Sequence, residues 1–185
     1  MTNVSARLRE QVLVLRSQAG DGDALGELVA RYGPRIRYYL HKLLGDAEAA
    51  GDAAQEVWLD VHRGIARLRQ PGSFRAWLYR IARDRAARAI RESRAQIPLI
   101  DGVDVALAAD EAEEDFTAED AERIHSALDR LSAEHREVLL LRFLEDLPYE
   151  EIAQVTGCSL GTVKSRIHYA KRWLRHEIER LIDHE

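Results

Sequence analysis

The chain has a single cysteine among its 185 residues. One thiol, Cys158, excludes an internal disulfide framework and a zinc site built from several thiolates. No apolar run approaches the roughly 20 residues that a membrane-spanning helix needs, so no membrane insertion is expected. The N-terminal MTNVSARLRE lacks the basic-then-apolar layout of a secretory signal, which makes the cytoplasm the expected location. Strand signals are also missing: no stretch alternates apolar and polar residues with a period of two. Seven histidines (His41, His62, His125, His135, His168, His176 and His184) are scattered along the chain. They form no metal-ligand or nucleophile constellation. No catalytic residue, metal or cofactor is therefore expected.

A large basic excess is missing as well; the formal net charge is −5. That average hides three blocks. Residues 1–96 carry 17 Lys/Arg against 11 Asp/Glu, residues 97–122 carry 10 acids and no base, and residues 123–185 carry 10 bases against 11 acids. Within the first block, 10 bases lie between Arg63 and Arg94, opposed only by Asp84 and Glu92. In the last, five bases and no acid lie between Lys164 and Arg175. Two basic patches separated by an acidic segment suggest two nucleic-acid contacts on separate modules.

What is present is helical periodicity almost throughout. Residues 5–18 read as an amphipathic helix with Leu8, Val12 and Leu15 on one side. The Gly20-Asp21-Gly22-Asp23 cluster breaks it and caps a helix over 24–44, in which Gly33-Pro34 is a candidate kink. Asp46 opens a helix over 46–68 and Ser73 another over 73–95, with Pro71-Gly72 between them. The segment 96–118, QIPLIDGVDVALAADEAEEDFTA, has clustered acids and no sustained apolar stripe. It reads as a flexible linker. A second helical domain follows, with Ser132 as N-cap of a helix through Leu144. The expected fold class is all-α: two helical domains, 1–95 and 119–185, joined by the acidic linker 96–118.

Residues 149–175 read as helix, tight turn and second helix. Ala153 allows close approach, Gly157 ends the first helix, and Val163 packs the second onto it. The exposed side of the second helix then suits a DNA major groove, although an ordinary helical hairpin shares the pattern. On the helix 73–95, Phe74, Leu78, Ile81, Ala82 and Ala89 gather on one side. Arg80, Arg83, Arg91 and Arg94 lie opposite, and Trp77 and Tyr79 sit near the flanks. Such a surface can track phosphates while stacking unpaired bases; a solvated arginine face over core aromatics is the plainer alternative. On the helix 46–68, Ala54, Val57, Trp58, Val61, Ile65 and Leu68 form an apolar stripe. Asp52, Gln55, Glu56 and Leu59 point the other way, a composition that suits docking to a partner helix.

Taken in order, these segments resemble an extracytoplasmic-function (ECF) sigma factor of the sigma-70 family, and the resemblance covers nearly the whole chain. QAGDGDALGELVARYGPRI is similar to the start of sigma region 2. DAAQEVWLDVHR is similar to the segment that grips the β′ clamp helices of RNA polymerase. FRAWLYRIARDRAARAIR resembles the helix that melts and reads the −10 element. LSAEHREVLLLRFLEDLPYEEIAQVTGCSLGTVKSRIHYAKRWL resembles region 4, which reads the −35 element.

The resemblance implies a promoter-selecting subunit rather than an enzyme. Its partners would be core RNA polymerase (β′ clamp helices and β flap), promoter DNA both duplex and single-stranded, and an anti-sigma factor. It implies polymerase contacts at Asp52, Gln55, Glu56 and Leu59. It implies a flipped −10 base received by the loop from Arg69 to Ser73. Phe74, Arg80, Arg83 and Asp84 would lie at or beside the single-stranded DNA. For the −35 element it implies Thr162, Lys164, Ser165, Arg166, His168, Tyr169 and Arg172.

There are departures from the family pattern. Asp84 stands where Asn is common; it could accept a bond from a cytosine amino group or pair with Arg80 or Arg88, and the intramolecular pair is the preferred reading. Tyr169 replaces a common Arg and cannot make a bidentate guanine contact, so the −35 sequence does not carry over. Pro148 replaces a Ser/Thr cap but fits a first helical turn. Two rival readings leave more unexplained. A dimeric helix-turn-helix regulator has no use for the first 95 residues. A sigma mimic that sequesters an anti-sigma protein needs no basic faces.

Overall fold

A computed structural model describes residues 2–94 and 127–182. These fall in two compact units, Met1–Leu99 and Ile100–Glu185. Every regular element among the described residues is helical. The sequence-predicted linker 96–118 lies outside the described residues.

The first unit contains α1 (Thr2–Gln18), α2 (Gly22–Leu44), α3 (Ala47–Gly64) and α4 (Phe74–Arg94). Short 3₁₀ turns at Ile65–Arg67 and Pro71–Ser73 lie between the last two. Helix α2 is the hub and packs on α1, α3 and α4. Its buried residues Leu28, Tyr32, Ile36, Tyr39 and Leu40 recur every three or four positions, the spacing of one helix face. Leu28, Ile36 and Leu40 are wholly buried, each worth about 1.5–3 kcal/mol of transfer free energy. Asp21 caps α2 by accepting from the Ala24 N–H at 3.1 Å. Asp46 caps α3 by accepting from the Ala49 N–H at 2.7 Å. Both caps are those expected from sequence. Helix α2 continues through Pro34.

Three local expectations need correction. The Leu8/Val12/Leu15 side of α1 faces solvent at 57%, 53% and 54% exposure; Leu13 and Val14 are buried instead. The reason lies in neighbours the sequence does not display. Glu10, itself buried, accepts the Tyr32 hydroxyl and faces Arg75 at 3.7 Å, which fixes the roll of α1. Helix α3 stops at Gly64 rather than running to residue 68. A Cβ on Gly64 would lie 3.0 Å from the Trp77 ring, so glycine there lets Trp77 approach. The carbonyls freed at the break are used: the Gln18 amide donates to Ile65 at 2.9 Å and Leu68 at 2.7 Å. Ser73 does not cap α4. It sits inside the preceding 3₁₀ turn with its hydroxyl 3.3 Å from the Gln70 side chain.

The second unit contains α5 (Ala133–Leu139), a π-helical turn at Leu140–Leu144, α6 (Tyr149–Thr156) and α7 (Leu160–Ile182). Residues 127–130 are also helical. Helices α5 and α6 both pack on α7, around Val138, Leu141, Leu147, Ile152, Val163, Ile167 and Ala170. Ser132 occupies the N-cap position of α5, but its hydroxyl engages His135 Nδ1 at 2.7 Å instead of a backbone N–H. The expected helix to Leu144 widens into the π turn, which buries Leu140 and Leu141 and leaves Phe143 and Leu144 exposed.

The Tyr32 hydroxyl is held neutral well above the ordinary tyrosine range, first by burial and then by the hydrogen bond to Glu10. A group bound more tightly to its proton when folded stabilises the fold below its unfolded pKa of about 10 and loses that contribution as pH rises past it. Melting temperature should therefore fall as pH climbs from 9.5 to 11.5, and Tyr32→Phe should flatten that fall. Equal slopes for the two chains would show that Tyr32 is not the group responsible.

Candidate functional site

Of the apolar stripe, Ala54, Val57 and Val61 are buried on α3 and Trp58 is half-buried; Ile65 and Leu68, buried and half-buried, lie beyond its end, in and after the 3₁₀ turn. Asp52, Gln55, Glu56 and Leu59 are exposed, Leu59 at 46%. The exposed ridge borders two depressions. Gln55 edges a groove of about 730 Å³ against α2, lined by Pro34, Arg37, Tyr38, His41 and Trp58 among others. Asp52 and Glu56 line a charged crevice against α4, opposite Arg85, Arg88 and Glu92. Glu56 is not a bare carboxylate: Arg85 Nη1 sits 3.1 Å from it.

Helix α4 departs from the sequence reading at Tyr79, which lies inside the core rather than near a flank. Phe74 and Tyr79 are wholly buried. The Phe74 ring packs edge-on to Tyr32 at 5.8 Å, and Tyr79 edge-on to Tyr39 at 5.1 Å. Trp77 is half-buried against Phe74 and Gly64. Phe74 and Tyr79 thus belong to the core beneath the arginine face, and Trp77 alone of these three aromatics stays partly accessible. Phe74 therefore positions the start of α4. Arg80 and Asp84 are exposed, Arg83 is half-buried, and Arg69 and Ser73 lie in the turn before the helix, exposed and half-buried. The pairing expected of Asp84 is not made. Arg88 turns to Glu92 at 2.9 Å, and Asp84 has no ion-pair partner among the described residues.

In the second unit the turn is as expected. Gly157 closes α6 in the left-handed conformation, φ +69°, and its N–H reaches Ala153 at 2.9 Å. Pro148 immediately precedes α6, and its carbonyl accepts from the Ile152 N–H at 3.0 Å. Helix α7 starts on a cap the sequence reading passed over: Ser159 Oγ accepts from the Thr162 N–H at 3.1 Å. Cys158 is half-buried beside the Thr156 hydroxyl at 3.0 Å.

The Val163–Ile167–Ala170–Leu174 stripe is buried, which directs Ser165 and Arg172 outward; both are exposed, as is Lys164. Thr162, Arg166, His168 and Tyr169 are half-buried. Arg166 is drawn back to Glu134 of α5 at 2.9 Å. Tyr169 packs on His135 of α5 with ring centroids 4.6 Å apart. These two side chains brace the helix rather than standing clear of it. The pairing of Glu134 with Arg166 and of His135 with Tyr169 was not legible in the sequence, because the partners lie more than 30 residues apart.

The model for sigma-70 region 2 matches residues 28–96, and that for sigma-70 region 4 matches residues 121–174. The RNA polymerase sigma-H factor of Pseudomonas aeruginosa is 33% identical over 94% of this chain and 96% of its own length. The ECF sigma-E factor of Escherichia coli K12 is 30% identical over 97% of this chain and 99% of its own length. The chain belongs to the ECF sigma factors of the sigma-70 family. Sigma factors are transcription-initiation factors, not enzymes. The fold is also that of CnrH, solved with the cytosolic domain of CnrY. That match has TM-score 0.64 and 23% identity, and covers 96% of this chain and 99% of that one. The sigma factor RpoE of Bartonella quintana, solved with the anti-sigma factor NepR, matches with TM-score 0.67 and 23% identity over 83% of this chain and 96% of that one. Among the described residues no helix of this sigma factor is long and apolar enough to cross a membrane.

Because Gly157 holds a backbone conformation that costs an L-residue about 1–2 kcal/mol, Gly157→Ala should lower the melting midpoint of the second unit. Circular dichroism melts of the full-length chain test this; an unchanged midpoint would mean that the turn relaxes freely.

Proposed function

We propose that this sigma factor meets its partners at three surfaces, with residues 1–95 acting as region 2 and residues 119–185 as region 4. The face of α3 bearing Asp52, Gln55, Glu56 and Leu59 docks on the β′ clamp helices of core RNA polymerase. The start of α4 and its preceding turn, through Arg69, Ser73, Arg80, Arg83 and Asp84, meet the single-stranded −10 element, and Phe74 supports that surface from within. Helix α7, together with the β flap contact of its unit, places Lys164, Ser165 and Arg172 on the −35 duplex. Thr162, Arg166, His168 and Tyr169 lie at the margins of that contact.

The observation that carries this reading is the division of α3. One side is buried at Ala54, Val57 and Val61, with Trp58 half-buried beside them, and the other shows an acidic and amide face around an exposed leucine. Such a face suits a helical protein partner, whereas phosphates would be repelled by it. The arginines are displayed on a different helix.

Each DNA contact alone is weak. Joining them on one polymerase raises the effective concentration of the second contact once the first has formed, which makes promoter spacing part of the specificity. The Ser165 hydroxyl donates to the Thr162 carbonyl at 3.0 Å, leaving its lone pairs to accept from a base amino group or from water. Control by an anti-sigma factor, and action in the cytoplasm, follow the pattern of the structural relatives.

Run-off transcription with core polymerase tests the assignment. Gln55→Ala should weaken core binding about tenfold, the order expected for an interfacial side chain, without changing the melting curve. Wild-type affinity would remove Gln55 from the docking face. Arg172→Gln should weaken promoter binding and reduce its log–log salt slope by about one; an unchanged slope would take Arg172 off the phosphate contacts.

A further inference from the structure

The charges in the crevice between α3 and α4 are used unequally. Arg85 reaches across from α4 with its whole fork. Nε and Nη2 grip Asp60 Oδ2 at 2.6 and 2.5 Å, while Nη1 lies 3.1 Å from Glu56 Oε2. Arg85 is 21% exposed, Asp60 30% and Glu56 49%. Two donors therefore anchor the guanidinium on the more sheltered carboxylate, and the remaining contact reaches the outer one. Arg88 is paired with Glu92 at 2.9 Å and acts on Glu56 only as a more distant charge.

One guanidinium thus joins a carboxylate of the face assigned to polymerase with the helix assigned to the −10 strand. We infer that Arg85 is a positioning residue that couples these two surfaces. It holds Glu56 in the free factor and yields it to a cation of the docking polymerase, while staying anchored on Asp60. The released Nη1 donors then turn to a phosphate of the melted strand beside α4. This rests on the polymerase reading of α3 given above. Half-exposed ion pairs are weak and exchange partners readily, whereas the anchored half keeps the fork in place. By linkage the effect is reciprocal: a phosphate that draws Nη1 away leaves Glu56 free for the polymerase.

The test titrates full-length wild-type, Glu56→Gln, Arg85→Gln and doubly substituted chains with core polymerase, followed by fluorescence anisotropy. Glu56→Gln should weaken core binding. Arg85→Gln removes the internal competitor and should tighten it by about three- to tenfold. The double substitution should lose that gain, because no carboxylate remains to be released. With core saturated, the Arg85→Gln promoter complex should show a salt slope shallower by about one.

Arg85→Lys guards against a folding defect. A lysine keeps Asp60 paired, but a single ammonium lacks the fork that spans two carboxylates, so it should reproduce the gain in core affinity. Additive effects in the double chain, an unchanged salt slope, or no gain in either Arg85 variant overturn the coupling. If Glu56→Gln binds core weakly beside an Arg85→Gln chain of wild-type affinity, the docking face stands and the coupling alone falls. If Glu56→Gln binds like wild type, Glu56 leaves the docking face and the coupling goes with it.

Discussion

The first unit depends on how α4 surrenders its aromatics to α2. Phe74 and Tyr79 enter the core edge-on to Tyr32 and Tyr39, and edge-to-face geometry sets direction as well as distance. With those rings inward, a helix of 100° per residue must turn Arg80 and Asp84 outward. The arginine face is therefore a by-product of core packing. It needs no support of its own beyond the buried seam beneath it.

That seam carries a polar stitch. Glu10 is buried, accepts the Tyr32 hydroxyl and faces Arg75. A buried carboxylate is tolerated only when its lone pairs and charge are matched, so α1, α2 and the first turn of α4 must arrive together. The stitch also explains why α1 buries Leu13 and Val14 in preference to the more regular Leu8/Val12/Leu15 stripe: the roll that satisfies Glu10 excludes the other. The second unit has its own buried carboxylate, Glu177, held by Arg130 and Arg180.

Much of this architecture was legible in the sequence, and what was not has a consistent cause. The caps at Asp21 and Asp46, the turn at Gly157 and the buried stripe of α7 depend on residues within a few positions of one another. Local spacing is enough to read them. The hidden features depend on distant partners: Glu10 with Tyr32, Gly64 with Trp77, Arg85 with Asp60, Arg166 with Glu134. The aromatics of α4 illustrate the limit. Hydrophobic periodicity placed Tyr79 at a flank, and only the opposing ring of Tyr39 decides that it goes inside. On α3, polarity alone was enough to tell that Asp52, Gln55, Glu56 and Leu59 face outward. The commitment of Glu56 to Arg85 could not be seen there.

The bracing of α7 reaches beyond stability. Arg166 and Tyr169 are tethered to Glu134 and His135, so the roll of that helix is set from α5. Two relatives with identical residues along the outward edge of α7 but different residues at 134 and 135 would present that edge at different angles. If α7 reads the promoter as proposed, promoter preference in such a lineage can then drift through positions 134 and 135. A recognition code spelled only in the residues of α7 would misassign those changes.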